Sequence, residues 1–282
     1  MGWMRLVPQI TLVLKAIALG SSLISGILAE TVAASDRALV EAICGANNVV
    51  DEVPSAEMVA RCGICPEFTT EGQQGFGRLP VITAVTYGSF TAAQRQEAVA
   101  DLSGCEAHAA NFGGSVLLRR SSGDWEMVRY ELAYRSHDCL PFRSRQQRDL
   151  LVCQSSYAQG GYVLESLDLH EVNGERTESE RILSTESNIA SCRPPFFENK
   201  IVDFDWRDSP KGSAPNSWPD LTLTLSTAEA VPQTSVTECG HCCKANFSEP
   251  TLTDLNFRFN GDTFAPTSET AQKLQQLKHV EY

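Results

Sequence analysis

Two short patterns alternate along the middle of the chain, and together they limit the folds that it can adopt. The first is a phenylalanine followed by a polar turn, an acid and an apolar strand, and its copies run Phe90 to Glu97, Phe142 to Asp149 and Phe204 to Asp220. The second is a turn that reads small-Gly-acid, and its copies begin at Ser122, Asn173 and Asn260. We expect two-residue hairpin turns there, with positive φ at both central positions. Because the patterns alternate three times at about the spacing of a four-stranded blade, they predict three repeated units.

The rest of the chain supports a fold made mostly of strands. Short runs of β-branched, aromatic and leucine residues, such as VITAVTY, SVLLRR and LTLTLS, are separated by Gly, Asn, Ser and Pro. We therefore predict an all-β fold, a propeller-like stack of about three repeated four-stranded units, with short N- and C-terminal helices and disulfides. The predicted divisions are a signal peptide (1–29), an N-terminal helix and Cys-rich segment (30–85), a repeated β domain (86–266) and a C-terminal helix (267–282).

The phenylalanine-to-acid pattern resembles a degenerate FG-GAP or VCBS-type repeat over roughly residues 87–266. That resemblance implies a β-propeller, as in integrin α-subunits and many secreted bacterial proteins, with an Asp-rich turn that often holds calcium. The first two turns, TAAQRQ and RSRQQR, lack the Asp and Gly residues of the family, so we expect no calcium there. Since closed propellers usually need four or more blades, either the segment from Cys44 to Val85 completes a ring or the sheets form an open stack.

The third copy of the turn keeps acids that could bind a metal. Asp203, Asp205 and Asp208 have near-alternating spacing, and Asp220 stands where the closing acid of the repeat belongs. Carboxylate oxygens spaced in this way can surround a calcium ion. The alternative is a solvated acidic loop, which the inserted KGSAPNSWP favours.

The N-terminus has the pattern of an export signal. Arg5 and Lys15 precede an uncharged run from Ala16 to Leu28, and small residues begin at Ala29. We expect a secreted or periplasmic protein, and no later apolar stretch is long enough to predict a membrane span in the mature chain. The formal net charge of −12 argues against nucleic acid as a partner, because an acidic chain repels phosphates.

Ten cysteines in an exported chain predict disulfides. Cys139 and Cys153 flank the second turn almost symmetrically, so antiparallel pairing would place them opposite each other. The other candidates form two triplets that could pair across the chain: Cys44, Cys62 and Cys65, and Cys239, Cys242 and Cys243. Alternatively, Cys62-Gly-Ile-Cys65 and Cys239-Gly-His-Cys242 could be the knuckles of a four-thiolate zinc site.

The sequence contains few signs of catalysis. It has neither a Gly-x-Ser-x-Gly elbow nor a His-Glu-x-x-His motif, and Glu106 and His108 are the one nearby acid and base that a loop could present together. The leading expectation is an exported, non-catalytic binding or scaffolding protein that needs no cofactor and has an unidentified protein or small-molecule partner. The alternatives are a secreted hydrolase with a loop-built site and a zinc-stabilised structural protein.

Overall fold

The computed structural model describes residues 37–50, 58–70, 80–189, 191, 195–207, 219–230 and 247–282. These residues form three antiparallel sheets and two short helices, which confirms the predicted all-β class. The predicted signal peptide, residues 1–29, lies outside the described residues. Within the described part of the chain, neither helix is long and apolar enough to cross a membrane.

The bounds of the elements are as follows. Sheet I contains β1 (Val49–Val50), β2 (Ala60–Cys62), β3 (Val81–Gly88), β4 (Glu97–Ser103), β5 (Gly113–Ser121) and β6 (Asp124–Leu132). Sheet II contains β7 (Asp138–Arg143), β8 (Asp149–Gln159), β9 (Tyr162–Val172), β10 (Thr177–Ser187) and β15 (Val280–Glu281). Sheet III contains β11 (Phe197–Trp206), β12 (Asp220–Glu229), β13 (Thr251–Phe259) and β14 (Phe264–Pro266). The helices are α1 (Arg37–Cys44) and α2 (Ser268–Leu274).

Each sheet contains a meander of four consecutive antiparallel strands. These are β3 to β6, β7 to β10 and β11 to β14, and in each meander every strand pairs with the next one along the chain. Sheet I is extended by β2 and β1 beside β3, and sheet II by β15 beside β10. The strands form where the sequence alternates between residues that face a core and residues that face solvent, as in β12, whose three leucines are fully buried.

The two sequence patterns fall on the same connections in all three meanders. The small-Gly-acid turns join the third strand to the fourth, and the phenylalanine-to-acid stretches join the first to the second. The acids Glu97, Asp149 and Asp220 are each the first residue of a second strand. The phenylalanines are less alike, because Phe90 follows β3 whereas Phe142 and Phe204 lie within strands.

Only the Ser122 copy of the small-Gly-acid turn has the backbone that we expected, with positive φ at Ser122 and Gly123. In the other two turns an asparagine side chain closes the chain instead. Asn173 Oδ1 accepts the amide protons of Glu175 and Arg176, and Asn260 Oδ1 accepts those of the corresponding residues after it. An Asx turn therefore replaces the predicted turn type at these positions.

Two predicted boundaries differ from the structure. Strand β3 begins at Val81, so the predicted limit between residues 85 and 86 falls inside a strand, and the N-terminal segment is part of sheet I. Helix α2 ends at Leu274 rather than continuing to residue 282. The chain then turns, and Val280 pairs with Thr185 of β10, because an edge strand offers unpaired backbone groups.

The sheets are held together by apolar layers. Residues of sheets I and II share one cluster, which includes Phe90, Leu117 and Leu151. A larger cluster lies between sheets II and III and also contains Leu274 of α2. Helix α1 covers the other face of sheet I. Sheet II therefore lies between sheets I and III. The loops that connect the strands of each sheet lie at the two ends of this stack.

Candidate ligand-binding cleft

The predicted bridge between Cys139 and Cys153 is present. The two residues are directly opposed in the pairing of β7 with β8, and their Cα atoms are 4.1 Å apart. This bridge ties the first strand of sheet II to the second.

The N-terminal cysteine triplet does not pair with the C-terminal one. Cys44 bonds Cys62, and Cys65 bonds Cys105, so α1 is tied to β2 and the segment after β2 is tied to the link after β4. Cys62 and Cys65 therefore have no thiolate to offer to the zinc site considered above. Cys239, Cys242 and Cys243 lie outside the described residues.

Three of the four candidate calcium ligands lie in strands rather than in a turn. Asp203 and Asp205 lie in β11, opposite Thr224 and Thr222 of β12, and Asp208 lies outside the described residues. Asp220 forms an ion pair with Arg258 at 3.2 Å. Within the described residues, no three His, Cys, Asp or Glu side chains come close enough to hold a metal ion.

Glu106 and His108 do not form an acid–base pair. Glu106 is buried, and its carboxylate accepts hydrogen bonds from the Thr70 amide and the Tyr130 hydroxyl at 2.9 and 3.0 Å. Burial, and then the charge of Glu106, raises the pKa of Tyr130, so the phenol remains a donor. His108 is exposed and stacks on Tyr157, with ring centroids 5.8 Å apart.

His170 is a buried titratable residue that the sequence did not single out. Its Nδ1 lies 2.7 Å from the Ser179 hydroxyl on the paired strand, and its ring packs 4.9 Å from that of Tyr134. Burial lowers the pKa of His170 to about 4, although the charges of Asp168 and Glu131 oppose this shift. The imidazole is therefore neutral at pH 7 and shares a hydrogen bond with the Ser179 hydroxyl.

A cleft of about 490 Å³ opens at one end of sheet III. Its walls are the start of β11, the end of β12, the start of β13 and the segment between α2 and β15. The lining includes Phe197, Asn199, Thr227, Glu229, Lys278 and His279. A concave site of this volume is within the range of small-molecule sites.

The segment between α2 and β15 is fixed to the sheets by backbone contacts. The Glu186 amide donates to the His279 carbonyl at 3.0 Å, and Asn199 Nδ2 donates to the carbonyls of Glu186 and Lys278, each at 3.1 Å. These bonds fix the orientation of the buried Asn199 carboxamide. Within the described residues its Oδ1 has no hydrogen-bond donor, and Asn199 belongs to the cleft lining.

The cleft also contains a pair of stacked rings and an ion pair. The rings of Phe197 and His279 are nearly parallel, with an interplanar angle of 6° and centroids 3.7 Å apart. Lys278 Nζ lies 3.1 Å from a carboxylate oxygen of Glu229. The described lining can therefore offer a ligand an aromatic surface, hydrogen-bonding groups and one acid that is paired with one base.

Sequence reasoning did not find the cleft, because its walls come from segments far apart in the chain. Phe197 and Asn199 open β11, whereas His279 lies in the part predicted to be helical. Comparison of the chain with protein-family models, curated protein sequences and solved structures finds no significant match. The cleft geometry is therefore the basis for proposing a function.

Proposed function

We propose that this chain is an exported, non-catalytic binding protein that holds a small ligand in the cleft of sheet III. The observation that carries the proposal is the buried Asn199 carboxamide in the cleft lining, whose Nδ2 donates to two backbone carbonyls and whose Oδ1 has no donor within the described residues. A fixed polar group among apolar and aromatic walls is typical of ligand recognition. No catalytic role is assigned to these residues.

The arrangement of the meanders supports a recognition role for this end of the molecule. In an antiparallel meander, the connection between the second and third strands lies at the same end as the links to the neighbouring meanders. His108 and Phe112 belong to that connection in sheet I, and His108 stacks on Tyr157 near the corresponding turn of sheet II. We infer a propeller-like arrangement of repeats with its ligand-binding loops at this end, as in the FG-GAP and VCBS-type resemblance.

Export is part of the same proposal. Three disulfides link cysteines of sheets I and II and of the segments packed on them, and disulfides persist in oxidising compartments. Together with the N-terminal pattern of residues 1–29, they favour a secreted or periplasmic location. Expression of the full chain, followed by N-terminal sequencing of the exported product, tests this point; an uncleaved chain retained in the cytosol would contradict it.

The binding role can be tested with the intact oxidised protein. We would screen a library of metabolites (sugars, amino acids, nucleotides and carboxylic acids) by saturation-transfer NMR and locate each binder by the shifts of assigned amide signals. We expect at least one compound to shift the signals of Phe197, Thr227 and His279 and to remain chemically unchanged. Binding only elsewhere, or consumption of the bound compound, would overturn the proposal.

One observation favours the hydrolase alternative. The neutral His170 lies within hydrogen-bond distance of the exposed Ser179 hydroxyl, which is the relation between a base and a nucleophile. The pair is not part of the cleft lining, so we rank this function second. Labelling by a fluorophosphonate probe that is lost in Ser179→Ala would support a hydrolase, whereas absence of labelling would exclude an activated serine.

A further inference from the structure

We propose that the ligand of the cleft is a neutral saccharide, an inference that rests on the binding role proposed above. The charged side chains of the lining indicate a neutral ligand. Among the described lining residues, Glu229 is the acid and Lys278 is the base, and they pair with each other. Because these two charges compensate, the described part of the lining offers no excess charge to a phosphate, a carboxylate or an ammonium group, and a neutral ligand fits best.

The hydrogen-bonding groups of the lining indicate a ligand that carries several hydroxyls. The lining includes the hydroxyls of Thr227, Ser248 and Thr251 in addition to Asn199 Oδ1, and within the described residues none of these groups has an intramolecular hydrogen bond. A hydroxyl both donates and accepts. A ligand that carries several hydroxyls can therefore satisfy the acceptor-only Asn199 oxygen and the three hydroxyls at the same time.

The two stacked rings of the cleft wall indicate a ligand with an apolar face. Phe197 and His279 form a stacked pair in the cleft wall, and His279 is exposed. The face of an aromatic ring is electron-rich and attracts the weakly positive edges of its neighbours. A pyranose has a face of C–H groups that can pack on such a ring while its hydroxyls point outward. Amino acids, which carry a charged ammonium and a charged carboxylate, and nucleotides, which carry phosphates, match this combination less well.

The test uses the intact oxidised protein and defined sugars. We would titrate glucose, galactose, mannose, N-acetylglucosamine, cellobiose, maltose and lactose by calorimetry and by NMR, with lysine, glutamate and inorganic phosphate as charged probes. We expect at least one sugar to bind and to shift the amide signals of cleft residues, and the charged probes to bind at least about tenfold more weakly.

The stacked ring is tested by His279→Asn. Asparagine accepts the positive φ of 58° at this position but removes the ring, so we expect sugar affinity to fall about tenfold. The matched control is His108→Asn, which removes another exposed, stacked histidine and leaves the cleft unchanged. Equal affinity in both variants would overturn the role of the ring, provided that both melt within a few degrees of the wild type.

A hydroxyl variant tests the hydrogen bonds separately. Thr227→Val should weaken sugar binding about threefold, whereas Thr253→Val, in the neighbouring strand and outside the lining, should not. If no sugar binds but another library compound occupies the cleft, the saccharide inference fails and the binding role stands. If neither binds there, both fail.

Discussion

Sheets I and III contain the same four-strand meander, but different interactions stabilise them. Sheet I is braced by two disulfides and by buried polar groups, including Asp101, which accepts hydrogen bonds from Arg135 and the Ser136 amide. The described part of sheet III packs through leucines and aromatic rings against sheet II. The same strand order is therefore compatible with covalent and polar bracing in one unit and with apolar packing in another.

The acidic residue that begins the second strand of each meander shows this difference most clearly. Glu97 faces Arg119 across β4 and β5, and Asp220 faces Arg258 across β12 and β13, so the two ion pairs occupy equivalent places. The side chain of Glu97 is 0% exposed, whereas that of Asp220 is 23% exposed. The same pairing is part of the core in sheet I and part of the surface in sheet III.

The largest expected effect is loss of the bridge between Cys65 and Cys105. It closes 40 residues, and by the chain-entropy model its replacement by two alanines should lower the free energy of unfolding by about 4 kcal/mol. The matched control removes the bridge between Cys139 and Cys153, which closes only 14 residues and should cost about 3 kcal/mol. Urea titrations of both double variants would measure the difference. A smaller loss for the longer loop would contradict the view that sheet I depends on its bridges.

Neutralising the equivalent acids should give the next largest difference. Glu97 accepts from the Thr91 amide as well as from Arg119, so we expect Glu97→Gln to lower the free energy of unfolding by about 2 kcal/mol. Asp220→Asn, at the exposed pair, should cost less than about 1 kcal/mol. Chemical denaturation at pH 7 would compare them, and equal costs would remove the distinction between the two sheets.

Acid should weaken the part of sheet II that contains His170. The pKa of this histidine falls from 6.5 when unfolded to about 4 when folded, so the unfolded chain binds the proton more tightly. Stability from the neutral imidazole is complete above about pH 6.5 and is lost as the pH falls toward 4, by about 2 kcal/mol at pH 5. The measurement is the change in unfolding free energy between pH 7 and pH 5 in the wild type and in His170→Gln. An unchanged pH dependence in the variant would contradict this assignment.

The smallest effect concerns the turns between third and fourth strands. Asn173→Ala and Asn260→Ala each remove a side-chain oxygen that accepts two amide protons, and each should cost about 1 kcal/mol. Ser122→Ala in sheet I should cost less, because the backbone there adopts positive φ at two residues without such an acceptor. Thermal melts of the three variants would show whether the turns of sheets II and III are equivalent.

Local patterns predicted the strands and the positions of their turns, because a strand alternates residue by residue and a tight turn needs particular residues. The bridge between Cys139 and Cys153 was predictable for the same reason, since both residues flank one hairpin. The partner of Cys65 was not, because Cys105 lies 40 residues away on the link after β4. The cleft depends on contacts of still longer range, such as Phe197 with His279, which no local pattern records.

The most direct test of the proposed binding role is a crystal structure of the intact oxidised protein with the tightest-binding sugar. We predict density for one sugar ring in the cleft of sheet III, packed against the Phe197 and His279 rings, with a hydroxyl within hydrogen-bond distance of Asn199 Oδ1. A sugar bound at another surface, with the cleft empty, would contradict it.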